Sequence, residues 1–290
     1  MSFYDLIILP FADFGFMRRA LVGIIALSCS AGPVGVFLTL RRMSLVGDAM
    51  AHALLPGAAL GYLVGGLSLG FMTAGGLMAG FVVALLAGAL TRVSVIREDA
   101  SLASFYLVSL AGGVVLLSVK GSNLDLLHVL FGSVLGLDDP TLYLLVSAAS
   151  LSLMTLAIIF RPLVLECVDP EFLRTVNGHG GHVHLVFLAL LTLNLVTGFQ
   201  ALGTLLAVGL MMLPAIAARF FSRQIGPMMA MATLIGLLSG VAGLLLSYHS
   251  GLPTGPVIIL TAGLILLISL LFGPQDGLVT TRLPRPHLEN

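Results

Sequence analysis

Apolar residues run along this chain in long unbroken stretches, with polar residues confined to the short segments between them. Nine stretches stand out, at 20–40, 46–66, 69–91, 100–119, 141–160, 184–200, 202–221, 228–248 and 256–273. A helix needs about 20 mainly apolar residues to cross the hydrocarbon of a bilayer, so each stretch predicts a membrane span. The run from His184 to Phe221 is interrupted by Gly198, Gly203, Gly209 and Pro214, which reads as one full span followed by a shorter, broken one. The count is therefore eight or nine. The expected fold class is an all-α polytopic membrane protein with one transmembrane domain over 1–290. No segment leaves the membrane long enough to form a soluble domain.

Composition removes most other classes. Of 290 residues, 58% are hydrophobic and 9% charged, against about 25% charged in ordinary globular domains. That excludes a cytosolic enzyme. Thirteen basic residues balance thirteen acidic ones, which leaves no basic footprint for nucleic acid. Two cysteines, Cys29 within a span and Cys167 outside one, build no disulfide framework. Under the nine-span count Arg41, Arg42, Arg92, Arg97, Arg161, Arg174, Arg219, Arg223, Arg282 and Arg285 share one side, and Arg18, Arg19 and Lys120 the other. The positive-inside rule then predicts a cytoplasmic C-terminus and an outer N-terminus. Residues 1–17 lack the basic start and small-residue cleavage site of a signal peptide.

The few intramembrane ionisable groups carry the candidate chemistry. The single lysine, Lys120, follows Val119, so the chain has no Gly-Lys pair of a phosphate-binding loop and draws no energy from its own ATP site. A His-Glu-x-x-His metalloprotease motif is also absent. At the start of the second stretch, Asp48 and His52 are four apart, which on a helix sets their Cβ atoms about 5–6 Å from each other on one face. Counted from Arg42 at about 1.5 Å per residue, Asp48 falls about 9 Å into the inner half of the bilayer. A carboxylate there costs about 2.5–3.5 kcal/mol on insertion scales and needs a partner or a wet path. Carboxylate beside imidazole is a partial ligand set for a divalent transition metal, and equally a plain hydrogen bond between spans. Pro56 and Gly57 weaken the helix beside the pair, a feature tolerated where backbone lines a cavity.

The run RRMSLVGDAMAHALLPGAALG, Arg41 to Gly61, resembles the signature of the membrane permease subunit of zinc- and manganese-type ABC importers. Leu130 to Gly136, Leu202 to Phe221 and Leu252-Pro-Thr-Gly-Pro256 agree with that family in order and spacing, so the resemblance covers about residues 17–273. It implies an ABC importer permease architecture in the bacterial cytoplasmic (inner) membrane. It also implies a homodimer with a pathway at the two-fold axis, separate ATP-binding cassette ATPase subunits and an extracytoplasmic metal-binding protein. No tightly bound cofactor is implied, only a transported ion; imidazole with carboxylate places zinc slightly ahead of manganese, though manganese and ferrous iron accept nearly the same ligands. An iron, siderophore or organic-cofactor permease is the alternative. Asp48 and His52 become transient metal contacts.

In the segment 161–183, Asp169 suits an N-cap, Pro170 the first helical position, Glu171 the positive end of the helix dipole and Gly178 a stop. A two-turn helix over 169–178 is expected. By the resemblance it is the coupling helix that docks on the ATPase, with Asp169, Pro170, Glu171, Phe172 and Arg174 as contacts. His179, His182 and His184 follow it and are read either as solvated loop residues or as an extra metal site. Asp125, His128, Asp138, Asp139 and His249 lie on the outer side, where they are solvated or attract a cation. Gly251 stands where the family commonly has an acid, which weakens the case for an outer carboxylate contact there.

Overall fold

The computed structural model describes residues 4–43, 46–66, 68–93, 98–119, 134–169 and 180–280. Among them are ten α-helices: α1 (Leu9–Asp13), α2 (Gly15–Leu40), α3 (Val46–Gly65), α4 (Leu69–Val93), α5 (Glu98–Val119), α6 (Asp139–Val168), α7 (Gly180–Leu202), α8 (Thr204–Ala218), α9 (Ile225–Ser250) and α10 (Thr254–Phe272). A π-helical turn, Tyr4–Ile8, precedes α1, and a 3-10 turn, Val134–Gly136, precedes α6. A helix occupies each of the nine apolar stretches. Six of them, α2, α4, α6, α7, α9 and α10, are long and apolar enough to cross a bilayer.

The interruption expected between 184 and 221 is a real break. Gly203 takes φ 93°, a left-handed value that favours glycine. The chain turns there from the 23-residue α7 into the 15-residue α8. Fifteen residues reach about 22 Å, short of the roughly 30 Å hydrocarbon core. Gly251, at φ 67° and ψ 16°, ends α9 in the left-handed helical conformation, and its N–H reaches the Ser247 carbonyl at 2.9 Å. The Ser247 hydroxyl then contacts Thr254 Oγ1 at 2.8 Å and the Leu252 carbonyl at 2.7 Å, fixing the corner into α10.

One boundary differs from expectation. The sixth helix does not stop at residue 160 but runs through Pro162 to Val168. Proline removes only one helical hydrogen bond, and Leu163 beyond it is fully buried, so packing carries the helix past it. Arg161 is therefore an exposed helical residue near the end of α6 rather than a loop residue.

Helices α2 and α7 form the centre. In their most apolar stretches 78% and 72% of residues are buried, against 28% in α4, α6 and α10. The outer helices show open apolar faces, for example Ile158, Val108 and Leu260, as expected of surfaces that meet lipid rather than water. Close crossings rest on glycine. A Cβ at Gly35 of α2 would strike the Met211 carbonyl of α8, and one at Gly57 of α3 the Gly75 carbonyl of α4.

Polar contacts sort the helix ends into two groups. Arg41 at the end of α2 meets Glu166 at the end of α6 and His184 at the start of α7. Arg223, between α8 and α9, pairs with Asp276 beyond α10 at 2.9 Å. At the opposite ends, Arg19 of α2 pairs with Asp139 of α6 at 3.2 Å, and His249 at the end of α9 contacts the Leu6 carbonyl at 3.0 Å.

Asp138 caps α6, its Oδ1 accepting from the Thr141 N–H at 3.2 Å. The Thr141 hydrogen bonds, with Arg19 nearby, hold its carboxyl below the usual carboxylate range. The cap's contribution is thus complete above the ordinary carboxylate pKa and fades as pH falls through the lowered folded value. Asp138→Ala is expected to cost about 1 kcal/mol, or about 2–4 °C of Tm in detergent at neutral pH. Thermal unfolding of both forms checks this, and the gap should close in acid.

Candidate functional site

The candidate site is assembled on α3. Asp48 is the third residue of that helix, which corrects the depth drawn from Arg42. The described residues before α3 leave the helical path: Arg42 has φ 58°, Met43 is buried and its N–H reaches the Leu38 carbonyl at 2.9 Å, and α3 begins at Val46. Position 48 is therefore in the first turn, where unshared backbone N–H groups and the helix dipole favour an anionic residue. His52 lies one turn further on and is half-buried. Its ring stacks on Tyr106 of α5, with centroids 6.2 Å apart and planes 29° from parallel.

Three neighbours hold this helix. On the α5 side, the Ser109 hydroxyl donates to the Ala53 carbonyl at 3.3 Å, and Gly113 lies against Pro56 with no room for a Cβ. Pro56 has no N–H to give to the carbonyl four residues back, so the helix is weakened just beyond His52. On the α4 side, Gly57 and Gly61 let the backbones of the two helices touch. At its start, Gly47 faces the Met212 side chain of α8. The first turn of α3 is thus seated on the broken α7–α8 unit.

The remaining predicted residues fall in different places. Asp169 is the C-terminal cap residue of α6, its N–H bonded to the Leu165 carbonyl at 2.8 Å. Pro170, Glu171, Phe172, Arg174 and His179 lie outside the described residues, as do Asp125 and His128. His182 is exposed at the start of α7. His184 joins a buried cluster: an Arg41 N–H donates to its Nδ1 at 2.9 Å, a second Arg41 nitrogen is 2.5 Å from Glu166 Oε1, and the Arg41 guanidinium lies 5.0 Å over the Phe187 ring. The same Nδ1 lies 3.6 Å from Glu166 Oε1. Among the described residues no group of three His, Cys, Asp or Glu side chains is arranged to hold a metal ion. Cys29 and Cys167 are both free thiols.

Sequence reasoning passed over Glu166 and Tyr106. Glu166 carried a signal, being the one acid within the apolar body of α6; Tyr106 carried none.

The sequence profile of the ABC 3 transport family matches residues 13–273. The chain belongs to that family of metal-cation ABC transporter permeases. The manganese import system permease protein ScaB of Streptococcus parasanguinis is 33% identical over 264 residues, covering 91% of this chain and 93% of that one. The manganese transport system membrane protein MntC of Listeria innocua is 31% identical, with 93% and 95% covered. The chelated iron transport system membrane protein YfeD of Yersinia pestis is 30% identical, with 93% and 89% covered. A solved structure, PsaBC from Streptococcus pneumoniae in complex with Fab, superposes with a TM-score of 0.81 at 31% identity, covering 93% of this permease and 96% of that chain. The permease is a multi-pass protein of the bacterial inner membrane and a subunit of an ABC metal import system.

Proposed function

We propose that this permease carries manganese, ahead of iron and zinc, into the cytoplasm, driven by ATP hydrolysis on a separate ATPase subunit. The observation that supports this most is the similarity over more than nine-tenths of the chain to permeases named for manganese import. Carboxylate and imidazole accept manganese, ferrous iron and zinc alike. The order zinc before manganese, drawn from ligand types alone, therefore gives way to the relatives' names.

In this reading all nine stretches cross or enter the membrane, the arginine-rich ends are cytoplasmic and the N-terminus is outside. Two copies face each other across a two-fold axis, and a binding protein delivers the ion from outside. Asp48 and His52 of each copy touch the ion in passing. Two ligands per copy make a weak site, which suits an ion that must leave again. Residues 169–178 form the helix that docks on the ATPase, through Asp169, Pro170, Glu171, Phe172 and Arg174. ATP-driven closure of the ATPase pair then moves the helix ends on that side and alternates access to the pathway.

The ion is tested by competition. In cells whose other manganese importers are deleted, labelled manganese uptake through this system is expected to be inhibited by unlabelled manganese at lower concentration than by zinc. The opposite order would return the assignment to zinc.

A further inference from the structure

The Arg41, Glu166 and His184 cluster has no part in the ion path just described, yet it connects its elements. Arg41 ends α2; Glu166 sits three residues before Asp169, at the end of α6; and His184 is in the second turn of α7. The side chains of Arg41, Glu166 and His184 are only 10%, 11% and 15% exposed. Both ends of the sequence proposed to meet the ATPase thus converge on one guanidinium.

The backbone that carries this guanidinium leads to the start of α3. The Arg41 N–H bonds the Phe37 carbonyl at 3.0 Å, and that of Arg42 the Thr39 carbonyl at 3.2 Å. The buried Met43 accepts from the Val46 N–H at 3.1 Å, where α3 begins two residues before Asp48. The α2 end that meets the α6 and α7 ends is thus joined to the first turn of α3 by the Met43 corner, whose backbone bonds both Leu38 of α2 and Val46 of α3.

Fold stability does not account for the cluster. Phe37 packs edge-on against Phe160 of α6 and Phe187 of α7, so an aromatic layer already joins the same three helices one turn away. A buried ion pair adds little net stability over an apolar replacement of similar size. Glu166 Oε2 is buried with no hydrogen-bond partner, so the pair is not fully satisfied in this arrangement.

We propose that Arg41, Glu166 and His184 form the joint that passes movement of the α6 and α7 ends to the first turn of α3. They are positioning residues of the transport cycle, acting on Asp48 through the α2–α3 corner. This rests on the reading that the sequence between α6 and α7 docks on the ATPase.

The test uses the complete permease–ATPase complex in vesicles, with binding protein and manganese, and reads uptake and ATP hydrolysis together. For Glu166→Gln the complex is expected to assemble and hydrolyse ATP, while manganese moved per ATP falls about fivefold or more. Glu166→Asp, which keeps the charge, should recover part of the loss. A ratio within twofold of wild type for Glu166→Gln would overturn the proposal. So would a proportional fall of uptake and hydrolysis, which marks a purely structural role. Should Glu166→Gln not assemble, His184→Leu leaves the ion pair in place and carries the same expectation and the same contrary outcomes. If the wild-type complex itself shows no ATP-driven uptake, the fault lies with the functional reading and not with the joint.

Discussion

Asp48→Ala is expected to reduce ATP-driven manganese uptake by about 100-fold, with the permease still assembled on its ATPase. Even residues that only orient a metal ligand cost about 10–100-fold in metal affinity or activity when removed, so a direct contact belongs at the upper end. Asp48→Asn should lose nearly as much, because it keeps the shape and discards the charge. His52→Ala should lose about tenfold, since the Asp48 carboxylate and the Tyr106 ring that stacks on His52 remain in place. Uptake of labelled manganese by vesicles, normalised to complex recovered, checks all three. Wild-type uptake in Asp48→Ala and His52→Ala would remove both residues from the path.

The second large effect concerns packing. Gly35→Ala and Gly57→Ala each place a methyl against a backbone carbonyl of the facing helix, Met211 in one case and Gly75 in the other. A backbone cannot rotate aside as a side chain does, so the helices must separate. Overpacking of this kind costs about 1–3 kcal/mol per site. Both variants should show a lowered Tm in detergent and a smaller monodisperse fraction. Gly88→Ala and Gly263→Ala are the controls: nothing lies within 4 Å of either position, and a helical Gly→Ala change there should be neutral or stabilise by about 0.4–1 kcal/mol. Equal behaviour of the two pairs would mean that these glycines do not set the helix spacing.

Much of the fold was legible because a bilayer solvent forces one structure on apolar sequence. Each apolar stretch became a helix, and Gly203 broke the chain where glycine and proline had suggested a break. Local signals misled where packing outweighed them. Pro162 and Arg161 read as the end of a span, yet the burial of Leu163 carries α6 six residues past the proline. Counting the depth of Asp48 from Arg42 assumes helix from that residue onward, whereas Arg42 is left-handed and α3 begins at Val46, which residue types do not reveal. Asp138, Asp139 and His249, expected to be solvated or to attract a cation, are engaged as a helix cap, an ion pair and a backbone contact. Least legible was the cluster of Arg41, Glu166 and His184. Arg41 is more than 100 residues from Glu166 and His184, and no spacing rule relates the three.

The central claim is that this chain is the membrane path of an ATP-driven importer of a divalent metal. The most direct measurement is accumulation of labelled manganese in vesicles holding the permease and its ATPase, with the metal-loaded binding protein on the outer face. Accumulation should require ATP at the ATPase side, should cease with a non-hydrolysable analogue and should exceed the level reached by equilibration. Uptake that proceeds equally without ATP, or that never exceeds that of vesicles lacking the permease, would contradict the account.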